Sequence, residues 1–405
     1  MSLFFLFFLV SGFCSLVFQV VWLRLAMAQF GVTTPLVSIF LAVFMAGLAI
    51  GSWAAGRWTA ATPDRSPGRM LRAWALVELL LGLSAFVVPP ALERGGELLR
   101  GAAGSGWASG SHYLASGAWV TLVLLPFCLG MGATFPLVMA AVRTGWAARA
   151  GRSFSYLYVA NVAGALLGTL ASAYLLIENF GLRRTLILAA GLNFTIALVA
   201  GLRSLGRDLR QRTAESADDA TRQVAGEAAP GGFGLPLLLL TTGLVSMAME
   251  VVWLRQFTPF LGTEVYAFAN VLAVYLAATV AGALACRSLG RRLSPGRFRQ
   301  VAAALWVLAA PLALLPLVGA DFSRAFPSPW LRVAFGIAPL CAALGFLTPM
   351  LVDRWSGGDP RRAGAAYAVN ALGCILGPLL AGFVLLPRAG ATAVLVLLAL
   401  PLAGA

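Results

Sequence analysis

Residues Gly12–Arg24 have the sequence GFCSLVFQVVWLR, and residues Gly243–Arg255 repeat the pattern as GLVSMAMEVVWLR, 231 positions later. Two further pairs of segments recur in the same order. They are PFCLGMGATFP at 126–136 with PLCAALGFLTP at 339–349, and Y-x-x-N-x-x-G-x-x-x-G starting at Tyr158 and again at Tyr367. The chain is therefore a duplicated unit of about 200 residues, a construction that is typical of membrane transport proteins.

The composition indicates a membrane protein. Hydrophobic residues make up 60% of the 405 residues and charged residues 11%, with a mean hydropathy of +0.88. This leaves too few polar side chains to cover a water-soluble globule. The 29 basic residues exceed the 15 acidic ones, but the arginines lie between apolar segments, where they set orientation. We therefore expect the lipid bilayer as a partner, and no nucleic acid.

The apolar segments predict the fold class. A stretch of about 20 apolar residues crosses a bilayer as a helix. Twelve such spans lie near residues 3–28, 35–57, 71–92, 118–143, 154–177, 183–203, 235–259, 265–287, 299–318, 330–352, 364–386 and 390–404. Six spans per copy is an even number, so both copies start on the same side. The sequence thus predicts an all-α polytopic membrane protein with about 12 transmembrane helices in two parallel six-helix repeats.

The loops predict orientation and domain limits. Most arginines lie in alternate loops, and the richer side is expected to be cytoplasmic, which places both termini inside. We expect a multi-pass protein of the cell inner membrane. The first repeat is predicted at 1–203, a polar cytoplasmic linker at 204–233 and the second repeat at 234–405. The last span ends earlier than its counterpart in the first repeat, so we expect a further segment after Ala405.

No motif for catalysis, metal binding or cofactor binding is present. The five cysteines lie in apolar segments without metal-ligand spacing, and the single histidine, His112, lies in a loop rich in Gly and Ser. The sequence has no P-loop, no G-x-G-x-x-G after a strand, no H-E-x-x-H and no G-x-S-x-G. We therefore expect no metal site, no cofactor and no catalytic residue in this chain.

Polar side chains within the spans are candidates for a ligand site, because ionisable groups are costly at bilayer depth. Glu250 lies in span seven, and its counterpart in span one is Gln19. Arg24 and Arg255 follow five residues later in their helices, about 140° around the helix axis, so Glu250 does not readily pair with Arg255.

Two interpretations of these residues stay open. In the first, Glu250, Gln19 and both arginines line a central polar pocket, with Glu250 as the anionic site. In the second, the arginines extend to the outer interface beside Trp22 and Trp253, and Glu250 holds another helix. The candidate substrate-binding residues are Glu250, Gln19, Arg24, Arg255, Trp22, Trp253, Asn161 and Asn370.

Other polar and helix-breaking residues have structural alternatives. Asn161 and Asn370 are counterparts, each followed by glycines at four-residue spacing, a pattern that favours close helix packing with the amide as an interhelical bond. Glu78 in span three is expected to be structural, either protonated or paired with Arg72. Spans four and ten contain interior prolines, which indicate either a binding region or simple kinks. These prolines are Pro126, Pro136, Pro339 and Pro349.

The repeated motifs resemble one known family. Both G-x(6)-[QE]-V-V-W-L-R copies, the AGLAIG run at 46–51 and the two Y-x-x-N segments resemble the membrane half of the membrane-bound spermidine synthase-like proteins. In that family a cytoplasmic spermidine synthase domain follows the last span, and these 405 residues contain no such domain. The six-plus-six arrangement is similar to major-facilitator proteins, in which spans one, four, seven and ten line a central cavity. The loop at 57–72 departs from that superfamily's usual Gly-Asp-Arg signature.

Three functions follow as hypotheses. The first is a membrane carrier or substrate-handling domain in which Glu250 binds a small cationic molecule, such as a polyamine, because a carboxylate suits an ammonium ligand in a low-dielectric site. The second is a non-transporting platform for a fused or partner cytoplasmic aminopropyltransferase domain. The third is an intramembrane enzyme acting on a lipid-like substrate.

Overall fold

The computed structural model describes residues 2–62, 67–102, 109–145, 150–212, 234–356 and 360–403. The regular structure of these residues is helical. The helices are α1 (Ser2–Phe30), α2 (Thr34–Ala61), α3 (Pro67–Ala102), α4 (Ser109–Gly145), α5 (Ala150–Ala171), α6 (Ile177–Arg212), α7 (Gly234–Leu261), α8 (Glu264–Arg292), α9 (Pro295–Ala313), α10 (Leu315–Gly319), α11 (Pro329–Ser356), α12 (Pro360–Leu379) and α13 (Leu386–Ala403). Short π-helical segments, Ser172–Leu176 and Leu380–Leu385, precede α6 and α13.

Helix formation follows from the apolar runs, because a helix satisfies its own backbone groups where no water is available. Capping side chains and a proline mark the beginnings of α8 and α9. Thr263 caps α8 by accepting a hydrogen bond from the Tyr266 amide, and Ser294 caps α9 by accepting one from the Arg297 amide. Pro295 is the first residue of α9, where its missing N–H has no cost.

The number of separate membrane helices differs from the prediction. Ten segments of the described residues are long and apolar enough to cross a membrane, whereas about twelve were expected. Two of them are Val159–Leu205 with 47 residues and Ala365–Ala403 with 39. As straight helices they would be about 70 and 60 Å long at 1.5 Å per residue, twice the thickness of the hydrocarbon core. Each is interrupted by a non-helical glycine, Gly181 (φ 72°, ψ 173°) or Gly390 (φ 68°, ψ 169°). A kink at a single glycine is therefore found near the boundary expected between spans five and six and between spans eleven and twelve.

The chain divides into two compact units. The first comprises Met1–Phe30 and Val43–Ala225, and the second comprises Gly31–Ala42 and Gly226–Ala405. The division at 225/226 falls within 204–233, the predicted linker, of which 213–233 lie outside the described residues. The beginning of α2 belongs to the second unit, although its sequence lies in the first repeat.

In the first unit, α1 and α5 pack closely along a line of glycine contacts. We call such a line of close contacts between two helices a seam. Gly164 packs against the carbonyl of Leu9, and Gly168 packs against the carbonyl of Phe13, so closely that a Cβ atom on either glycine would overlap the partner helix. Such close approach of backbones is the usual role of small residues at four-residue spacing in membrane helices.

The second unit has the same seam between α7 and α12. Gly373 packs against the carbonyl of Leu240, and Gly377 packs against the carbonyl of Leu244. These four residues are the sequence counterparts of the seam residues in the first unit. The duplication is therefore preserved at the level of individual backbone contacts.

A second pair of seams follows the same rule. In the first unit α2 meets α4, and in the second α8 meets α11, with a glycine of each helix against the backbone of the other. The contacts are Gly51 with Leu129 and Gly132 with Leu48, then Gly282 with Ala342 and Gly345 with Thr279. The proline-containing helices α4 and α11 are thus fixed tightly on one side.

Candidate functional site

Glu250 lies within the membrane-spanning part of α7. Its position is about 24 Å along the helix from Gly234 and about 16 Å from Leu261, given 1.5 Å per residue. The side chain is 2% exposed, and among the described residues no ion pair or hydrogen bond to its carboxyl group is formed. A buried carboxyl group without a cationic partner is costly, so its presence calls for an explanation.

Other polar groups of the second unit surround Glu250. Tyr275 of α8, Cys341 of α11 and Cys374 of α12 lie within electrostatic range of its carboxyl group. One turn before Glu250, the Ser246 hydroxyl shares a 3.1 Å hydrogen bond with the Tyr275 hydroxyl. Four helices thus contribute to the surroundings of one carboxyl group.

Two more buried polar atoms follow Glu250 along α7. Trp253 is fully buried, and its indole N–H donates to no described residue. The Gln256 side-chain oxygen is also buried without a hydrogen-bond partner in the described part of the chain. At 100° per residue, Trp253 lies about 60° around the helix from Glu250 and Gln256 about 60° further, so the three positions follow a line that winds around α7 over two turns. We call Glu250, Trp253 and Gln256 the α7 polar stripe.

The first unit has a neutral version of this arrangement in α1. Gln19 and Trp22 are buried, at 3% and 0% exposure. The Trp22 ring stacks on Phe18 at 5.3 Å between ring centroids and lies 6.2 Å from Phe127 of α4. Its indole N–H, like that of Trp253, has no partner among the described residues. Gln19 and Trp22 therefore occupy positions in α1 equivalent to those of Glu250 and Trp253 in α7.

Arg24 and Arg255 are exposed, in contrast to the buried side chains that precede them. The structure does not bring Arg255 to the Glu250 carboxyl group, in agreement with the 140° separation on the helix. Whether the arginines contribute to a ligand site stays a prediction.

Asn161 and Asn370 lie at the helix seams. The Asn370 amide donates to the Leu239 carbonyl at 2.9 Å and to the Thr242 hydroxyl at 3.1 Å, both on α7. The backbone of Asn161 lies against Gly12 of α1. In this structure the two residues join α5 to α1 and α12 to α7, and a role in substrate binding stays a prediction.

Of the two alternatives for Glu78, protonation or pairing with Arg72, the pairing is not formed among the described residues. Its Oε1 accepts hydrogen bonds from the Ser11 hydroxyl at 2.7 Å and from the Trp74 indole N–H at 2.9 Å. Ser11 is 67 positions away in sequence, and no local spacing could have indicated this contact. Tyr275 was also missed, because a tyrosine in an apolar run gives no signal of its own.

The backbone is similar to solved structures of membrane transporters. A bacterial homologue of the iron transporter ferroportin, in an inward-facing state, has a TM-score of 0.62 and 13% identity over 98% of this chain and 96% of that chain. The nucleoside transporter NupG has a TM-score of 0.61 and 10% identity, covering 99% of this chain and 96% of its own. A D-xylose-proton symporter has a TM-score of 0.57 and 14% identity, with 98% and 95% covered.

No protein-family model and no curated protein sequence matches the chain. At identities of 10–14% the structural likeness shows the fold alone. It confirms the predicted all-α, multi-pass, major-facilitator-like membrane fold.

Proposed function

We propose that this chain is a membrane carrier for a small cationic solute of the polyamine type, and that the Glu250 carboxylate binds the solute's ammonium group. The observation that carries the proposal is a buried carboxyl group without a cationic partner among the described residues. An ionised carboxylate at this depth is stabilised by an opposite charge. A cationic solute supplies that charge.

The α7 polar stripe supports the same conclusion. The Trp253 indole N–H and the Gln256 side-chain oxygen are one donor and one acceptor, both buried and unpaired within the described residues. Buried polar groups normally have partners, and a solute with several amine groups can satisfy an acceptor and a carboxylate together. A tryptophan ring next to an ammonium group also contributes a cation–π interaction.

The proposal also covers the orientation of the chain in the membrane and the family that its motifs resemble. The arginine-rich loops favour a cytoplasmic position for both termini and for residues 204–233, in the inner membrane. The repeated motifs resemble the membrane half of the spermidine synthase-like proteins, and this resemblance supports a polyamine as the solute class.

The test is uptake of labelled spermidine into proteoliposomes containing the purified protein. We expect saturable uptake, reduced about 10- to 100-fold by Glu250→Gln, because a hydrogen bond to a charged group contributes roughly 1.5–3 kcal/mol. The matched control is Glu97→Gln, the same substitution at an exposed position of α3; it should leave uptake unchanged. Saturable uptake that Glu250→Gln does not alter would remove Glu250 from the site.

The alternative is a non-transporting platform for a fused or partner aminopropyltransferase domain. It is supported by the same family resemblance, in which the membrane half accompanies a cytoplasmic synthase. Absence of saturable uptake in correctly folded wild-type protein would favour this alternative. Co-purification of an aminopropyltransferase activity with the chain would then identify the partner.

A further inference from the structure

A second buried carboxyl group, Glu78, lies in the first unit, one third of the way along α3. It is 0% exposed, and its two oxygen atoms have different surroundings. Oε1 accepts both hydrogen bonds, from Ser11 and Trp74, whereas Oε2 is buried and has no partner in the described part of the chain. The rings of Phe4, Phe7 and Phe8 lie 6.0–6.4 Å from that of Trp74. The surroundings of this carboxyl group are thus largely apolar.

Neutral groups face Glu78 from the helices packed around it. The Ser11 hydroxyl and the Cys14 thiol face Glu78 from α1. Of these two groups, the thiol is the one that can titrate. From α4, Gly130 lies opposite Leu81, on the turn that follows Glu78. Among the described residues no arginine forms an ion pair with the carboxyl group. An ionised carboxylate here would have no counter-charge, so the neutral acid is the favoured form.

The helix α6, which packs against α3, contains another buried polar side chain, that of Asn193. Asn193 is 1% exposed, and neither its amide nitrogen nor its amide oxygen has a partner among the described residues. The Cys14 thiol donates to the Ala189 carbonyl at 3.5 Å, one turn before Asn193. The next residue, Phe194, packs against Gly82, one turn after Glu78. Residues of α6 on either side of Asn193 thus contact Cys14, a neighbour of Glu78, and Gly82, one turn after Glu78.

We propose that Glu78 is a reversible proton-binding site of the first unit, and that a bound water links its Oε2 to Asn193. Proton uptake converts the carboxylate and a hydronium ion into the carboxylic acid and water, with the proton on Oε2. The water accepts this proton in a hydrogen bond and donates to the Asn193 oxygen. A buried water with two or more such partners is a common solution for polar groups that protein atoms leave unpaired.

This inference concerns the first unit and holds whatever solute the chain carries. In a carrier, a proton site in the first unit would couple solute movement to pH. The proton site can be measured without any transport assay, so its failure and that of the solute site can be told apart.

The experiment is infrared difference spectroscopy of the protein in lipid films, with the pH stepped between acid and alkaline. We expect a C=O stretching band of a protonated carboxylic acid that disappears at alkaline pH and is lost in Glu78→Gln. The matched control is Glu250→Gln, which removes the buried carboxyl group of the second unit that the structure describes and should keep the band of Glu78. If the band that remains in Glu250→Gln also persists when Glu78→Gln is added to that variant, the proposal is overturned.

Two further variants keep the test decisive if Glu78→Gln does not fold. Trp74→Phe removes one hydrogen-bond donor to Oε1 and should shift the frequency of the band; an unshifted band contradicts the assignment. Asn193→Leu should slow the hydrogen–deuterium exchange of the acid proton by about tenfold, which corresponds to roughly 1.4 kcal/mol in the barrier. Exchange at the wild-type rate would exclude the water link to Asn193.

Discussion

At the scale of single residues, Arg332 at the start of α11 shows how one buried cation can organise a loop. It is 8% exposed, and its guanidinium donates to the carbonyls of Gly319, Asp321 and Arg324 at 2.6–2.8 Å. It also lies over the ring of Phe260, at 4.1 Å from the ring centroid. A planar group with several donors can make all these contacts together, whereas an ammonium group cannot. Arg332 thus fixes the connection between α10 and α11.

We expect Arg332→Lys to lower the free energy of unfolding by about 2–4 kcal/mol, because two or three carbonyl bonds and the ring contact are lost. Arg324→Lys is the control. Its side chain is 60% exposed and pairs with Asp321 at 3.4 Å, and exposed pairs contribute about 0–1 kcal/mol. Thermal unfolding in detergent measures both variants. Equal effects would show that the carbonyl contacts of Arg332 do not hold the loop.

At this same scale the sequence identified some residues and missed their partners. Glu250 was found because a glutamate in an apolar span is rare. Glu78 was found for the same reason, but its hydrogen-bond partners are Ser11 and Trp74, and Arg72 was the one partner that the sequence suggested. The partner of a buried group is set by helix packing, which short-range spacing does not encode.

At the scale of helices, the glycine seams are the feature that both repeats share most closely. The Y-x-x-N-x-x-G-x-x-x-G pattern predicted close packing of α5 and α12, and the structure supplies their partners, α1 and α7. The sequence also predicted six spans per repeat. It did not anticipate that a single glycine, at Gly181 or Gly390, would join two spans without a loop. A positive φ angle at one residue gives no periodic signal.

We expect Gly164→Ala to destabilise the protein by about 1–3 kcal/mol, because the added methyl group would overlap the Leu9 carbonyl and force α1 and α5 apart. The comparison is Gly191→Ala in α6, where nothing lies within 4 Å of the added atom. There alanine should stabilise the helix by roughly 0.5–1 kcal/mol. Denaturant titration in mixed micelles gives both values. A neutral Gly164→Ala would refute the seam as a close contact.

At the scale of the whole molecule, the described residues of each unit contain one buried glutamate with its own surroundings. Glu250 of the second unit belongs to the α7 polar stripe, whereas Glu78 of the first unit is hydrogen-bonded within its unit. The duplication therefore gave two units with the same helix seams but different polar interiors. The backbone likeness to solved transporters extends over both units.

The number of membrane crossings can be measured on intact cells. In a variant lacking the five cysteines, single cysteines at Phe180, Phe322 and Arg291, which are exposed positions, report the side of the membrane. With twelve crossings and cytoplasmic termini, a membrane-impermeant maleimide labels positions 180 and 322 from outside. Position 291 reacts only after the cells are permeabilised. Labelling of position 180 that requires permeabilisation would show that Val159–Leu205 does not turn at Gly181.

The sequence by itself determined the membrane location, the all-α fold and the duplication, because these depend on hydropathy and on similarity between segments of one chain. It also singled out the buried acids, because charge in an apolar run is visible without a structure. Only the tertiary structure decided which atoms those acids meet. Ser11 reaches Glu78, and four helices surround Glu250, because side chains far apart in sequence are brought together only when the helices pack. The physical reason is that the bilayer dictates helices and their lengths, whereas close contacts between backbones dictate which helix faces meet.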